Sequence, residues 1–427
     1  MSSGFISIDC GISEVSSYTD KTTGISYLSD LHFTTSGENK ELPESTRAQN
    51  IDEQQFWNVR SFPNGTRNCY TLKPEQGKGT TYLIRARFMY GNYDGKEQAP
   101  TFDLYVGAGF WDTVTISDAW TIINKEIIHI PSSDHMQVCL VNTSHGIPFI
   151  SVLELRPLSN DVYKTKNGSL QLYGRFDFSS SSANLEVLRY KGDAYDRLWE
   201  SLEAKIWSPF IHNDSLTDEN SIAKNNYTVP FIIMNTAYTR SRSSSDGYNM
   251  NLRWNNLSNT SEYYFYMHFA ELQQLRANQT REFNIYINGG SWYGPMVPNY
   301  LSTTTIYSPA GWTADSEGQI DIWLNSTGNS NLPPLINAME MYVLKDLSQQ
   351  ETNTTEVEAI TNIKLVYEVE KNWEGDPCAP EAYLWDGLNC SYNANNPSRI
   401  VSLNLSSSGL KGEIAQSIAN LTMLQYL

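Results

Sequence analysis

The sequence predicts a mostly β chain, in which two tandem antiparallel β-sandwiches of the jelly-roll type precede a short helix and the start of a solenoid of leucine-rich repeats. Three observations lead to this prediction. One long segment occurs twice, short alternating stretches separated by turn residues fill both copies, and regularly spaced Leu and Ile side chains follow near the C terminus.

The duplication is visible as four elements that recur in the same order. The first two are strands whose side chains alternate between apolar and polar, the period of a half-buried strand. The third is an aromatic-rich turn, and the fourth is a strand that begins after Pro. The matching segments are residues 81–88 and 262–269, 102–107 and 283–288, 110–112 and 292–294, and 148–155 and 334–341.

We therefore assign residues 5–158 and 170–347 to two copies of one unit, joined by a linker at residues 159–169. Within each copy the alternating stretches are separated by Gly, Pro, Asn and Asp, and no amphipathic helix pattern of useful length interrupts them. Two sheets that are each apolar on one face bury those faces against each other, so each copy is predicted to be a sandwich.

Residues 348–399 are predicted to form a helical linker and a disulfide-stapled cap. Residues 355–358 fit a capping box, and Val357, Ile360, Ile363 and Val366 recur at helical spacing. Beyond the helix, Cys378 and Cys390 flank a Trp. A segment this short buries too little apolar surface to fold alone, so we expect a disulfide between them; the alternative is two unrelated free thiols.

Residues 400–427 are predicted to be the first, truncated leucine-rich repeat. Ile400 and Leu403 recur as Leu424 and Leu427, a period of 24 residues, which lies in the range of such repeats. A single repeat cannot bury a continuous core, because a solenoid needs several stacked repeats. We therefore expect the sequence to be the truncated part of a longer protein.

Charge and sequon content favour an extracellular protein that does not bind nucleic acid. The formal net charge is −17, and no block of Lys and Arg offers the positive surface that phosphate binding needs. The N terminus lacks the pattern of a signal peptide, which we expect to be missing from this sequence. Asn-x-Ser/Thr sequons, candidate sites of N-glycosylation, begin at Asn64, Asn142, Asn167, Asn213, Asn226, Asn256, Asn259, Asn278, Asn325, Asn353, Asn389, Asn404 and Asn420.

The remaining cysteines leave their pairing open. Cys10, Cys69 and Cys139 all lie in the first copy and permit three single pairings, each leaving one thiol over. No two Cys have the spacing of a zinc site, so neither a metal nor a cofactor is expected. No run of 18 apolar residues occurs, so a transmembrane helix is expected only beyond this sequence.

Several motifs resemble those of plant malectin-like leucine-rich-repeat receptor kinases. They are Phe5-Ile-Ser-Ile-Asp-Cys10-Gly11, Phe62-Pro-Asn-Gly65, Arg67-Asn-Cys69-Tyr70, Tyr90-Gly-Asn-Tyr93-Asp94-Gly95 and Gly375-Asp376-Pro377-Cys378. The resemblance covers essentially the whole chain. It implies an ectodomain on the outer side of the plasma membrane, with a transmembrane helix and an intracellular Ser/Thr kinase beyond Leu427.

The same resemblance implies a ligand site of the malectin type, in which flat aromatic rings stack on a sugar and polar groups flank them. The candidates are expected in loops of the first copy and in the corresponding turn of the second. The alternative is that these rings seal the sandwich ends or the groove between the copies. The candidate residues are Tyr90, Tyr93, Asp94, Trp111, Asp112, Trp292 and Tyr293.

The predicted function is that of a non-catalytic extracellular region that binds a glycan, peptide or protein ligand, with a co-receptor kinase as a possible further partner. Neither the kinase motifs nor a hydrolase nucleophile or zinc-helix motif occurs. Two alternatives stay open. One is a secreted decoy fragment without signalling output. The other is a glycoside hydrolase, since a pair of carboxylates across a sugar cleft leaves little sequence trace.

Overall fold

A computed structural model describes residues 4–13, 16–44, 53–165, 167–178, 188–202, 210–212, 219–240, 249–347, 349–393 and 396–427. The chain divides into two compact units. The first consists of Met1–Asp20, Ile25–Leu155 and Asp346–Leu427, and the second of Lys21–Gly24 and Arg156–Lys345. The C-terminal segment therefore belongs to the same unit as the first β region.

The β region of the first unit is built from sheets whose strand pairs are antiparallel, except that β1 and β3 are parallel. One has the strand order β2-β3-β1-β13-β7-β10, a second β6-β11-β8-β9, and a third β12-β5-β4. Short 3-10 helices occupy Asp30–His32 and Gln54–Phe56. The strands are β1 (Ile6–Asp9), β2 (Ser17–Thr19), β3 (Ser26–Ser29), β4 (Glu38–Glu41), β5 (Asn58–Ser61), β6 (Arg67–Leu72), β7 (Tyr82–Phe88), β8 (Thr101–Val106), β9 (Gly109–Thr115), β10 (Ile123–His129), β11 (Met136–His145), β12 (Phe149–Ile150) and β13 (Val152–Pro157).

The second unit contains sheets with the orders β14-β26-β19-β22, β18-β24-β20-β21 and β16-β17-β25. A single helical turn, α1 (Phe231–Met234), precedes β17. The strands are β14 (Ser169–Asp177), β15 (Glu200–Ser201), β16 (Phe210–His212), β17 (Thr236–Thr239), β18 (Met250–Trp254), β19 (Glu262–Phe269), β20 (Phe283–Ile287), β21 (Gly290–Met296), β22 (Thr304–Tyr307), β23 (Trp312–Thr313), β24 (Ile320–Ser326), β25 (Leu335–Ile336) and β26 (Ala338–Lys345).

The two units share their strand order. The path β1-β13-β7-β10 corresponds to β14-β26-β19-β22, and β6-β11-β8-β9 corresponds to β18-β24-β20-β21. The repeated segments of the sequence lie on matching strands, with β7 and β8 in the first unit and β19 and β20 in the second. The sequence duplication therefore has a counterpart in the topology.

Alternation along the strands separates a core face from an outer face. In β8, Phe102, Leu104 and Val106 are buried, whereas the residues between them are half-buried. In β24, Ile320, Ile322 and Leu324 are fully buried and the intervening side chains point away from the core. Each sheet thus contributes one apolar face to the interior of its unit.

The C-terminal segment begins with helix α2 (Thr354–Val366). Asn353 caps it by accepting a hydrogen bond from the backbone N–H of Thr355 at 3.1 Å, so the helix starts earlier than a capping box at 355–358 requires. Its buried side includes Ile360 and Ile363, as the helical spacing predicts, but Val366 is exposed.

Glu356 lies on the buried side of α2, which is possible because its carboxylate accepts hydrogen bonds there. It accepts hydrogen bonds from Arg399 and from the backbone N–H of Ile400, both in the strand Asn396–Leu403 of the same segment. Strands β27 (Leu388–Asn393) and β28 (Asn396–Leu403) and 3-10 turns at Glu381–Tyr383 and Gln416–Asn420 complete it. Neither α-helix in the described part of the chain has the length and apolarity that a membrane crossing requires.

Candidate functional site

The structure brings three of the candidate residues together in the turn after β7. Tyr90 is only 2% exposed, and its hydroxyl donates to the carboxylate of Asp94. The ring of Tyr93 lies 5.6 Å from that of Tyr90 and 5.2 Å from that of Phe149, and its hydroxyl is 3.1 Å from Ser61 Oγ. Burial raises the pKa of Tyr93 to about 12. Tyr90 is therefore a core residue, whereas Tyr93 is half-buried.

The aromatic turn of the first copy is a strand, so the expectation of a loop there was wrong. Trp111 lies in β9 with its side chain fully buried in the core. Its neighbour Asp112 is half-buried and forms a 2.6 Å ion pair with Lys125 of β10. Because strand residues alternate between faces, an aromatic residue in this position faces the interior, and Trp111 is not available to an external ligand.

The corresponding residues of the second unit remain at the surface. Trp292 and Tyr293 lie in β21, the edge strand of its sheet, again in a strand rather than the expected turn. Tyr293 is 42% exposed and Trp292 is half-buried. Of the five aromatic candidates, Tyr90 and Trp111 are buried, whereas Tyr93, Trp292 and Tyr293 keep solvent-accessible surface.

The outer face of the sheet beside Tyr293 carries aromatic residues that the sequence analysis missed. Trp323 of β24 pairs directly with Tyr286 of β20 on one side and with Asn251 of β18 on the other, and all three are half-buried. The alternation of β24, with Ile320, Ile322 and Leu324 on one side, is the signal that would have placed Trp323 on the outer side.

In the first unit, the C-terminal segment covers the equivalent face. Cys139 pairs with Tyr105 on one side and with Cys69 on the other, and the two cysteines form a disulfide with a Cα–Cα distance of 4.0 Å. Both cysteines are buried, and the ring of Tyr383 lies 5.6 Å from that of Tyr105. Cys10 is a buried free thiol, which resolves the pairing that the sequence left open.

Arg67 of β6 is the main polar link to the C-terminal segment. Its guanidinium donates hydrogen bonds to the backbone carbonyls of Asp376 and Ala379, and to that of Gly107 in its own sheet. Burial lowers the pKa of Arg67 to about 10, although the charge of Asp376 opposes this shift. The carboxylate of Asp376 in turn accepts from the backbone N–H and the hydroxyl of Thr352.

Next to this link lies the half-buried carboxylate of Glu351. Burial, with the added repulsion of Asp376, raises the pKa of Glu351 to about 7, and Arg67 opposes the shift. Glu351 and Asp376 line a cavity of about 20 Å³ together with His135. A space of this size holds a single water molecule and neither a sugar ring nor a peptide side chain.

The C-terminal segment has a staple of its own. A disulfide joins Cys378 and Cys390, the pair that the sequence analysis proposed. The rings of Trp373 and Trp385 stack at 5.0 Å beside it, and both are buried with Ile363 of α2. The segment therefore combines a small apolar core with a covalent link, as a short structure needs.

A hydroxyl, an imidazole and a carboxylate lie in a row inside the second unit. Thr305 Oγ1 is 2.8 Å from His268 Nδ1, and His268 Nε2 is 3.3 Å from Glu340 Oε1. Burial alone would raise the pKa of Glu340, but Arg175, His268 and Arg197 hold it well below its usual range. The carboxylate thus belongs to a fully buried ion network that joins β14, β19 and β26.

Other buried carboxylates are also engaged by arginine. Asp30 pairs with Arg60 at 2.5 Å, and Arg85 bridges Glu126 and Glu154 at 2.6 and 2.8 Å. Charges removed from water are stable only when paired in this way. Across the described ranges, no group of three or more His, Cys, Asp or Glu has the arrangement of a metal site.

The chain is similar to known proteins in both sequence and structure. The model of a family described as the malectin-like domain matches residues 8–344. The chain is 44% identical to the probable LRR receptor-like serine/threonine-protein kinase At1g05700 of Arabidopsis thaliana, over 99% of this chain and 48% of that protein. It is 46% identical to the putative leucine-rich repeat receptor-like protein kinase At2g19210 of the same plant, over 100% and 47%. The chain thus spans about half the length of these relatives.

Solved structures with the same fold have low sequence identity to the chain. The crystal structure of the ANXUR2 extracellular domain from Arabidopsis thaliana superposes with a TM-score of 0.64 at 16% identity, covering 80% of this chain and 97% of that one. A crystal structure of the plant peptide RALF23 in complex with FER and LLG2 gives a TM-score of 0.58 at 16% identity, covering 81% and 96%.

Proposed function

The chain belongs to the malectin-like family, and its relatives are receptor-like kinases; from this premise we propose that it is the extracellular recognition region of a plant receptor-like Ser/Thr kinase. The observation that carries the proposal is the extent of the match. The family model spans both β regions, and nearly the whole of a structure titled an extracellular domain superposes on the chain.

The finer architecture is part of the proposal. We take each unit's β region as one sandwich of a tandem pair, with residues 5–158 and 170–347 as the two domains, because the two units share a strand order. We take residues 400–427 as the first leucine-rich repeat. In support, Ser402 and Tyr426 form a parallel bridge 24 residues apart, the spacing of one turn of a solenoid.

The proposed ligand is a peptide or protein rather than a sugar held in the first unit. Trp111 is fully buried and Tyr90 nearly so, so that two of the three rings expected to stack on a sugar in the first unit are core residues. The structural neighbour FER is solved with the peptide RALF23 and with LLG2. By analogy we propose a plant peptide as ligand and a second protein as partner.

The region is proposed to be non-catalytic. Several buried carboxylates are engaged by arginine or tyrosine, as Glu340 is by Arg175 at 2.8 Å and Asp9 by Tyr18 at 2.7 Å, and Glu351, whose pKa is raised to about 7, lines a cavity of only about 20 Å³. A glycosidase instead needs two carboxyl groups facing each other across an open cleft, one of them free to donate a proton. A pair already neutralised by arginine is a poor general acid or base.

The test immobilises the chain, produced in a secretory host, and measures the binding of defined probes by biolayer interferometry. The probes are RALF23 with and without LLG2, and a panel of plant-wall oligosaccharides. Saturable peptide binding supports the proposal. Binding of oligosaccharides alone would replace the peptide by a glycan, and new reducing ends in the oligosaccharide samples would contradict a non-catalytic role.

A further inference from the structure

The outer face of β24 contains a sequon in a strand. Asn325, Ser326 and Thr327 form the Asn-x-Thr pattern at the end of the strand. Because Leu324 is fully buried, Asn325 lies on the opposite, outer face, as does Trp323 two residues before it. The sequon and an aromatic ring therefore share one side of the sheet.

The atoms of Asn325 are oriented as a glycan attachment requires. Oδ1 is buried and has no hydrogen-bond partner, whereas Nδ2 is not among the buried unpaired atoms. Within the described residues Nδ2 also makes no hydrogen bond. The amide nitrogen is therefore the atom that reaches solvent, and it is the atom to which an N-linked sugar is attached.

The aromatic rings next to Asn325 are partly accessible to solvent, and their polar atoms make no hydrogen bonds within the described residues. Trp323 and Tyr286 are paired directly across β24 and β20 and are half-buried. Neither the Trp323 indole N–H nor the Tyr286 hydroxyl has a hydrogen-bond partner in the part of the chain that the structure describes. An apolar ring with a polar edge is the surface on which the C–H face of a pyranose packs.

We propose that Asn325 carries an N-linked glycan whose first sugar packs on Trp323 and Tyr286, so that the glycan is a structural part of the outer sheet face of the second unit. The inference rests on the proposed extracellular function, because attachment requires passage through the secretory pathway.

The attachment is a group transfer from a lipid-linked oligosaccharide pyrophosphate. Asn325 Nδ2 forms a bond to the anomeric carbon of the first N-acetylglucosamine, and the bond from that carbon to the pyrophosphate oxygen breaks. The amide loses one proton to a base of the transferase, and the lipid pyrophosphate leaves. No oxidant or reductant is needed.

Comparison of the two units supports the proposal that a glycan covers the outer face of β24 and β20. In the first unit the equivalent row is Tyr105, Cys139 and Cys69, of which the two cysteines are buried and Tyr105 is half-buried beside Tyr383 of the C-terminal segment. In the second unit the row is Tyr286, Trp323 and Asn251, which stays half-buried. A glycan on the same strand would cover apolar surface that the first unit covers with protein.

The chain contains a matched control. Asn256 also begins a sequon and also follows a Trp by two residues. Asn256, however, is exposed in a turn with φ of 60°, and the ring of Trp254 lies 6.3 Å from Phe176 and 6.2 Å from Phe265. A sugar on Asn256 therefore has no free ring beside it, and its removal should not affect stability.

The full chain is produced with a secretion signal. Peptide mass spectrometry then measures which sequons carry a glycan, and an endoglycosidase trims every glycan to a single sugar before the Tm is measured. Asn325 is expected to be occupied. Asn325→Gln should then lower the Tm by about 2–4 °C, the size expected for one aromatic contact in a unit of this length. Asn256→Asp, which removes the sequon with a residue that also tolerates a positive φ, should leave the Tm unchanged.

A double-mutant cycle identifies the ring as the partner. In a Trp323→Ala background, Asn325→Gln should cause less than half of the original Tm loss, and in a Trp323→Tyr background most of it should return. If Trp323→Ala is not secreted, the Tyr variant and Trp323→Leu provide the same comparison.

The results that would contradict the inference can be told apart from those that would contradict the proposed function. An unoccupied Asn325 beside an occupied Asn256 would overturn this inference and leave the proposed function intact. An equal Tm loss with and without the ring would overturn the packing on Trp323. A chain without glycan at any sequon would instead contradict the extracellular function on which the inference rests.

Discussion

The carboxylate of Glu351 fills the space beside Gly107: a Cβ built on this glycine would lie 2.3 Å from Glu351 Oε1. Gly107 lies between β8 and β9 of the first β region, and Glu351 lies just before α2 in the C-terminal segment. The contact shows that the segment is fitted closely to the sheet that it covers, where Arg67 and the Cys69–Cys139 disulfide also lie.

Substitution of Gly107 is therefore expected to destabilise the chain. Gly107→Ala introduces a methyl group into the Glu351 carboxylate and forces a non-glycine residue into a left-handed conformation, with φ of 56°. Backbone strain of about 1 kcal/mol, plus about 0.5–1 kcal/mol for displacing the flexible end of the Glu351 side chain, should lower the unfolding free energy, measured by urea denaturation.

Gly95 provides the control for that prediction. It also has a positive φ, 68°, but nothing lies within 4 Å of its added Cβ. Gly95→Ala should therefore cost only the backbone term, about 1 kcal/mol. Equal losses at positions 95 and 107 would contradict the close fit of Glu351.

Stability is expected to depend on pH through Glu351. Its pKa rises from an ordinary 4.5 to about 7 in the folded chain. The folded state therefore binds the proton more tightly than the unfolded state. The resulting stabilisation is fully present below pH 4.5 and is lost as the pH rises through 7, an effect of about 2–3 kcal/mol.

Glu351→Gln should remove that contribution. The unfolding free energies of the parent chain and the variant are measured from pH 4 to pH 8. As the pH rises, the variant should become increasingly more stable than the parent chain. Glu358→Gln, at an exposed position of the helix α2 that follows Glu351, is the matched control. A parent-to-variant difference that does not change with pH would rule out Glu351 as the titrating group.

The cysteines should differ sharply in chemical reactivity. Cys10 is fully buried and free, and the other four cysteines form two disulfides. One thiol per chain is expected to react with a thiol reagent after unfolding, and none in the native state, because a buried thiol is inaccessible and its pKa is raised by burial. Rapid labelling of the native chain, or more than one thiol after unfolding, would contradict this pairing.

Removing a candidate aromatic side chain should lower the stability strongly if the side chain is buried and little if it is exposed. Trp111→Ala is expected to cost about 3–5 kcal/mol of stability, since the whole side chain is buried. Tyr293→Ala, at an exposed position, should change stability by less than about 0.5 kcal/mol. Thermal unfolding of both variants checks this, and a near-neutral Trp111→Ala would indicate that the ring is at a surface.

The strands of the duplicated segments were predictable because alternation is a local property. Residues 81–88 and 262–269 contain β7 and β19, and the change from apolar to polar at every second position is visible without a structure. Trp111 shows the limit of that signal. The turn residues around it suggested a loop, whereas the fold continues β9 through it and directs the ring into the core.

The contacts of the C-terminal segment were not predictable in the same way. Gly107 and Glu351 lie far apart in the sequence, and neither residue type indicates its partner. The same holds for Arg67, whose motif supported the family resemblance but whose hydrogen bonds to Asp376 and Ala379 depend on tertiary structure. The row Tyr286, Trp323 and Asn251 also forms only when three separate strands pair in register.

The central claim is that the chain faces the outside of the cell as the recognition region of a receptor. The most direct test expresses the full-length receptor in plant protoplasts with an epitope tag at the start of this chain, and labels intact cells with an antibody and a membrane-impermeant biotin reagent. We expect labelling of the tag without permeabilisation, on a protein that an endoglycosidase shifts to lower mass. Labelling only after permeabilisation, with no glycosidase shift, would contradict the account.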